Sequence, residues 1–378
     1  MRLLISAKIT FITVLLAAFL CKPTMAGNLW PGETMMYGGG YPAVTKFIKG
    51  HPQKPLFVFI PGAHHNARIS YGGHEGYREN DFLAYWLNRQ KYNFLAISYP
   101  IDTKSGLFNE SYAEFSVRDW GRQAAEITKQ VVNKYGIEGP VIVLGWSMAG
   151  KVAQPFFEES KRLNIKFDFY LSLAATPPIP GIVAKNKMVK MAESGLADRK
   201  NDYPKWYQQV KENDAKNGHT IIPEAMYESG YLGDISINQQ AYGLRFHPGQ
   251  NAFVRDYPAD IEDTKGIEYG NFPLVAMLIP TSVLDLRHSL TDLSAWGIYN
   301  ANGLYKDYSR RIANSPNKPL RLHKIRSTIY SAQLELSESV SGNHFFFVGK
   351  SGAEETSRSI EKLVKKVKQF REKKWEDL

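Results

Sequence analysis

The chain has 378 residues, with 47 Lys plus Arg against 37 Asp plus Glu, 43% hydrophobic residues and one cysteine. Its 20 Phe, 21 Tyr and 7 Trp supply a large core, which excludes the disordered, collagen-like and coiled-coil classes. No apolar run reaches the roughly 18 residues of a membrane span, so no transmembrane segment is expected.

The first 26 residues have the three-part layout of a secretory signal peptide. Arg2 and Lys8 make a positive start, 9–20 (ITFITVLLAAFL) is a short apolar run, and Thr24-Met25-Ala26 offers small residues before a cleavage at Gly27. The run is too short to span a bilayer. Cys21 does not suit a lipid anchor, because Leu20 stands where a small residue is wanted. Removal of 1–26 takes away Arg2, Lys8 and Lys22 and leaves a charge of +7. It also takes away the only cysteine, so the exported chain, periplasmic or secreted, is expected to have no disulfide, no thiol nucleophile and no cysteine-ligated metal.

In chain order, mainly apolar runs fall at 56–60 (LFVFI), 94–99 (FLAISY), 141–144 (VIVL), 167–174 and 274–279. Each ends at Pro, Gly or Thr-Pro, as expected of strands buried on both faces. Between the first two runs lies a helical stripe of Phe82, Leu83, Trp86 and Leu87. Between the second and third, 117–135 carries Trp120, Ala124, Ile127, Val131 and Val132 on one side. A further strand is expected at 328–336. The C-terminal segment sets Ile360, Leu363, Val364, Val367 and Phe370 at helical spacing under a basic face, most simply a solvated amphipathic helix; a basic face alone is weak evidence for nucleic-acid or anionic-surface binding, and no nucleic-acid partner is expected. Alternating strands and helices predict an α/β fold, a mostly parallel doubly wound sheet.

The run at 141–144 leads into Gly145-Trp146-Ser147-Met148-Ala149-Gly150. Small residues around a serine directly after a buried strand suit a sharp strand-to-helix turn, which lifts the hydroxyl clear of the backbone. With this string, Pro61-Gly62-Ala63 after the first run and Gly342-Asn343-His344-Phe345 near the end, the chain resembles the α/β-hydrolase superfamily from about Pro55 to the last helix. The resemblance implies an oxyanion loop, a nucleophile elbow and a histidine loop in those three places. Ala149 stands where the motif usually has glycine.

The chemistry follows from the residue types as well. A serine hydroxyl needs a base within hydrogen-bond reach. His344, in a glycine-containing loop before the last helix, is the best placed of the nine histidines. His64 and His65 follow the first strand and are expected near the same pocket; as a metal pair they lack a third ligand at motif spacing. No metal and no cofactor is expected. Oxyanion donors are expected from the backbone N–H groups of Met148 and Ala63. The third member is a carboxylate after the strand at 274–279: Asp285 is favoured, Asp292 comes next, and Glu335 and Glu338 stand further back. If Thr281 or Ser282 caps a helix through Leu284, His288 and Leu290, Asp285 becomes a helix-surface residue.

The stretch 180–271 is far longer than a normal crossover. Rich in Trp206, Tyr207, Met226, Tyr227, Tyr231 and Tyr242, it is expected to form a helical lid with an apolar aromatic lining. The reading is one exported serine hydrolase domain over 27–378, acting through Ser147, Asp285 and His344 on a small ester, or an amide. An acyltransferase with the same triad, or a non-catalytic binding protein on the same scaffold, are the alternatives. A dehalogenase is disfavoured, because residue 147 is not a carboxylate.

Overall fold

The computed structural model describes residues 29–183, 189–313 and 318–376. The signal segment at 1–26 and the cleavage site therefore lie outside the described residues.

Eight strands form one sheet: β1 (Glu33–Gly38), β2 (Tyr41–Ile48), β3 (Leu56–Ile60), β4 (Asn93–Ser98), β5 (Val141–Trp146), β6 (Phe167–Leu173), β7 (Val275–Pro280) and β8 (Ser337–Val340). Their order is β1-β2-β4-β3-β5-β6-β7-β8. The β1–β2 and β2–β4 pairs are antiparallel, and every other pair is parallel. The expected strand runs thus take adjoining places in a mostly parallel sheet.

Both faces of the sheet are covered, which is why its central strands carry no polar alternation. In β3, Phe57 and Phe59 point into one buried cluster and Leu56, Val58 and Ile60 into the other. The first cluster is closed by α1 (Leu83–Arg89) and by Ile360, Leu363, Val367 and Phe370 of the C-terminal helix, Lys350–Glu376. The second is closed by α2 (Val117–Tyr135) and α3 (Ala153–Arg162). The expected helix at 117–135 is matched residue for residue. Its first turn carries a Ser116–Asp119 capping box, and Gly136 ends it at φ 60°. This is the architecture of the α/β-hydrolase fold.

One departure has a physical cause. The strand expected at 328–336 is instead part of a helix: α6 (Leu286–Ala313) is followed by α7 (Lys318–Glu335), and the true strand is β8. Ile325, Thr328, Ala332 and Leu336 are buried at a spacing of three or four residues, a helical period that outweighs the β-branched residues locally. A 3-10 segment, Ser147–Val152, precedes α3.

The insertion between β6 and β7 contains α4 (Tyr203–Asn217) and α5 (Tyr257–Thr264), with a small hairpin of Leu244–His247 on Ala252–Arg255. Among the described residues no helix is long and apolar enough to cross a membrane.

Candidate active site

Parallel strands deliver their carboxyl ends to one edge of the sheet, and the loops there carry the expected site residues. Ser147 follows β5 with φ at 56°, a conformation that costs a non-glycine residue energy and is held only where its surroundings fix it. They do fix it. The Thr176 N–H donates to the Ser147 carbonyl at 2.7 Å, and the Tyr170 hydroxyl donates to the Ala149 carbonyl at 2.7 Å. The flanking glycines are required by space rather than by φ: a Cβ on Gly145 would lie 1.5 Å from the Tyr170 hydroxyl, and one on Gly150 would lie 2.2 Å from the Thr176 carbonyl. Gly62 is equally constrained, since its Cβ would meet the Ser147 Cβ at 2.6 Å. The loop after β3 therefore lies directly against the serine.

Asp285 is brought to His344 by the loops after two adjacent strands. The Ser282 N–H, after β7, donates to the Gly342 carbonyl, after β8, at 3.0 Å. The Ser282 hydroxyl accepts from the Leu284 N–H and so starts the 3-10 turn Val283–Asp285 that leads into α6. The cap anticipated from sequence is present, yet Asp285 is 8% exposed and its Oδ2 lies 2.7 Å from His344 Nδ1. Burial pushes the Asp285 carboxyl up, but His344, with His288 and Arg287 behind it, holds it below the usual aspartate value.

The His344 backbone is anchored as well. Its N–H donates to Gln209 Oε1 of α4 at 3.0 Å, and its carbonyl accepts from Trp146 Nε1 at 2.9 Å. Ser147, Asp285 and His344 line one cavity of about 410 Å³, together with Ala63 and Met148, whose backbones were expected as oxyanion donors.

The other candidates are held elsewhere. Asp292 lies 2.9 Å from His288 Nδ1, while Glu338 pairs with Lys362 and Lys366 and Glu335 ends α7 outside the cavity. His65 lines the cavity wall; its Nδ1 lies 2.8 Å from the Ala63 carbonyl and its Nε2 2.7 Å from the Tyr227 hydroxyl. Burial drives its pKa down to about 3. His64 is buried behind it, between the Gly233 carbonyl and Gln240. Both imidazoles are thus neutral rings buttressing the loop after β3.

Sequence reasoning missed Arg287 and His288. His288 stacks on His344 with ring centroids 5.0 Å apart. Three ionisable groups in the four-residue run Asp285-Leu286-Arg287-His288, just past an apolar strand, were the available signal. Asp285, His288 and His344 each bring one metal-ligating atom within 4.8 Å of the others. Each is already hydrogen-bonded to a side chain, and the Arg287 guanidinium contacts His288 Nε2, which disfavours a cation there.

The insertion forms part of the cavity wall through Arg199, Asp202, Lys205, Trp206, Gln209 and Tyr242. The expected apolar aromatic lining is only partly right. Trp206 and Tyr242 line the cavity, but Tyr207, Tyr227 and Tyr231 pack into the core, and charged side chains take much of the remaining wall.

No family model matches the chain, and no curated protein does. Similar solved structures are mostly α/β-hydrolases. A thermostable carboxyl esterase from Bacillus coagulans aligns over 91% of this chain and 99% of its own at 10% identity, with a TM-score of 0.48. A soluble variant of monoglyceride lipase from Saccharomyces cerevisiae aligns over 91% and 97% at 11% identity, TM-score 0.42. A peroxisomal α/β-hydrolase from the same yeast aligns over 87% and 82% at 12% identity, TM-score 0.43.

Proposed function

We propose that the protein is a serine hydrolase that cleaves a carboxylic ester through an acyl-serine at Ser147. The observation that carries this reading is a strained, buttressed Ser147 sharing a cavity with a His344–Asp285 pair bonded at 2.7 Å.

In this mechanism His344 takes the Ser147 proton as the hydroxyl oxygen attacks the substrate carbonyl carbon. Asp285 holds the Nδ1 proton and stabilises the imidazolium. The backbone N–H groups of Ala63 and Met148 receive the charge that develops on the carbonyl oxygen. His344 then protonates the leaving alcohol, and water releases the acid by the same steps in reverse order. The insertion 180–271 acts as a lid: α4 both walls the cavity and grips the His344 backbone through Gln209. Export through the segment 1–26 belongs to the same proposal, and mass spectrometry of exported protein should give an N-terminus at or near Gly27.

The test of the mechanism is labelling with a fluorophosphonate. Wild type should label at Ser147 and turn over p-nitrophenyl esters. Ser147→Ala should do neither, while its stability shifts by less than about 1 kcal/mol. Wild-type turnover by folded Ser147→Ala protein overturns the proposal.

A further inference from the structure

We infer that the ester carries a carboxylate, bound in the active-site cavity by Arg287 with Lys151 and Lys205. This rests on the serine-hydrolase reading above and specifies its substrate class.

Four basic side chains line the cavity, Lys151, Arg199, Lys205 and Arg287, against two carboxylates, Asp202 and Asp285. Both carboxylates are already engaged: Asp202 accepts from Arg199 Nε at 2.7 Å, and Asp285 holds His344. Among the described residues Lys151, Lys205 and Arg287 form no ion pair. Through Arg287 and Lys205 the wall therefore presents positive charge that no cavity carboxylate pairs with.

Arg287 is the strongest of the three. One face of its guanidinium is fixed, with Nη2 donating to Thr176 Oγ1 at 2.8 Å and contacting His288 Nε2. Its Nη1 is buried and has no hydrogen-bond partner among the described residues. A buried donor is costly to leave unmade, and a guanidinium pre-oriented by its neighbours suits a carboxylate oxygen. Thr176 also bonds the Ser147 carbonyl, so this donor is built onto the same turn as the expected nucleophile.

Lys151, 4% exposed, sits on the turn after Ser147 with its Nζ donating to the Gln240 and Ala241 carbonyls, 4.6 Å from the Tyr242 ring centroid. Burial draws its pKa down to about 7, and the Arg287 charge acts in the same direction, while Asp260 opposes it. An anion between Lys151 and Arg287 would relieve that repulsion. The 28-residue helix α6 starts at Leu286, in the same wall, so its positive end adds to the field. Val183, Leu284 and Leu286 supply apolar wall for an aliphatic or aromatic spacer between the ester and the carboxylate.

Two probes locate the charge: mono-p-nitrophenyl glutarate carries it on the acyl side, and 4-butyryloxybenzoate carries it on the leaving-group side. Their neutral counterparts are p-nitrophenyl valerate and phenyl butyrate. For one anionic probe, wild type should show kcat/KM at least ten-fold above its neutral counterpart, with the advantage shrinking as salt is added. Arg287→Gln should reduce that ratio at least ten-fold, mainly through KM, and Arg287→Lys should restore part of it. A wild-type preference for both neutral esters, or an unchanged ratio in a folded Arg287→Gln protein, overturns the inference. Calorimetry with glutarate and 4-hydroxybenzoate on Ser147→Ala protein keeps the two claims apart. Binding of one that Arg287→Gln weakens supports the anion site even if phosphonate labelling fails, and absence of binding by both counts against the site even if labelling succeeds.

Discussion

Asp285 and Asp292 each hold a histidine, and the two imidazoles stack face to face, yet the two pairs differ in what the proposed reaction asks of them. His344 must become an imidazolium during turnover, whereas His288 need not. Burial lowers the His288 pKa against the pull of Asp292, so its ring stays neutral. A carboxylate-to-amide change keeps a hydrogen-bond acceptor but loses the charge. Asp285→Asn should therefore lower kcat by up to about 10⁴ with little change in KM, whereas Asp292→Asn should lower it less than about ten-fold. Steady-state kinetics on both variants check this, and full kcat in Asp285→Asn would rule Asp285 out. The candidate serine and histidine stand out in the sequence because short strings of small residues at strand ends mark them. The carboxylate beside that histidine was harder to place. It depends on a 3-10 turn after β7 and on the Ser282–Gly342 bond between two loops far apart in sequence.

The element on which the site depends most is the turn from β5 into α3. Its sequence admits no side chain at residue 145, because the Tyr170 hydroxyl that anchors the Ala149 carbonyl occupies that space. Gly145→Ala must displace the Tyr170 ring and with it the anchor. We expect a loss of about 1–3 kcal/mol or more in urea unfolding, together with slower phosphonate labelling of Ser147 in the fraction that folds. Labelling at the wild-type rate would show that the anchor does not hold the serine's conformation. The central strands were legible for the reason this turn is tight: they are buried on both sides and bounded by glycine or proline. Edge elements gave weaker signals. β8 reads Ser-Glu-Ser-Val with only Val340 buried, so its polar sequence hid it behind the helical 328–336 segment. The β1–β2 hairpin escaped notice although Gly39 and Gly40, both at positive φ, are the residues a two-residue hairpin turn needs.

At the scale of the whole molecule, buried histidines tie the fold's stability to pH. His64, His65 and His288 are all held neutral by burial, His65 down to about pH 3, and His74 is shifted the same way. In the unfolded chain each would take up a proton near pH 6.5. Below that pH the unfolded state binds more protons than the native one, so this contribution to stability is whole above pH 6.5. It is lost as the pH falls toward the native-state values. Asp260, raised by burial to about 6, works in the opposite direction, because the native state then holds the extra proton. Total stability therefore mixes the two signs, and a difference between variants isolates one of them. His65→Gln retains a donor for the Ala63 carbonyl and an acceptor for the Tyr227 hydroxyl but has no titration to lose. It should be less stable than wild type at pH 8, and the gap should narrow by about 2 kcal/mol at pH 5, from about 1.4 kcal/mol per pH unit below 6.5. Urea unfolding of both proteins across that range is the measurement. Parallel curves would mean that His65 titrates in the folded protein as it does in the unfolded chain, and the neutral buttress behind the loop after β3 would have to be abandoned.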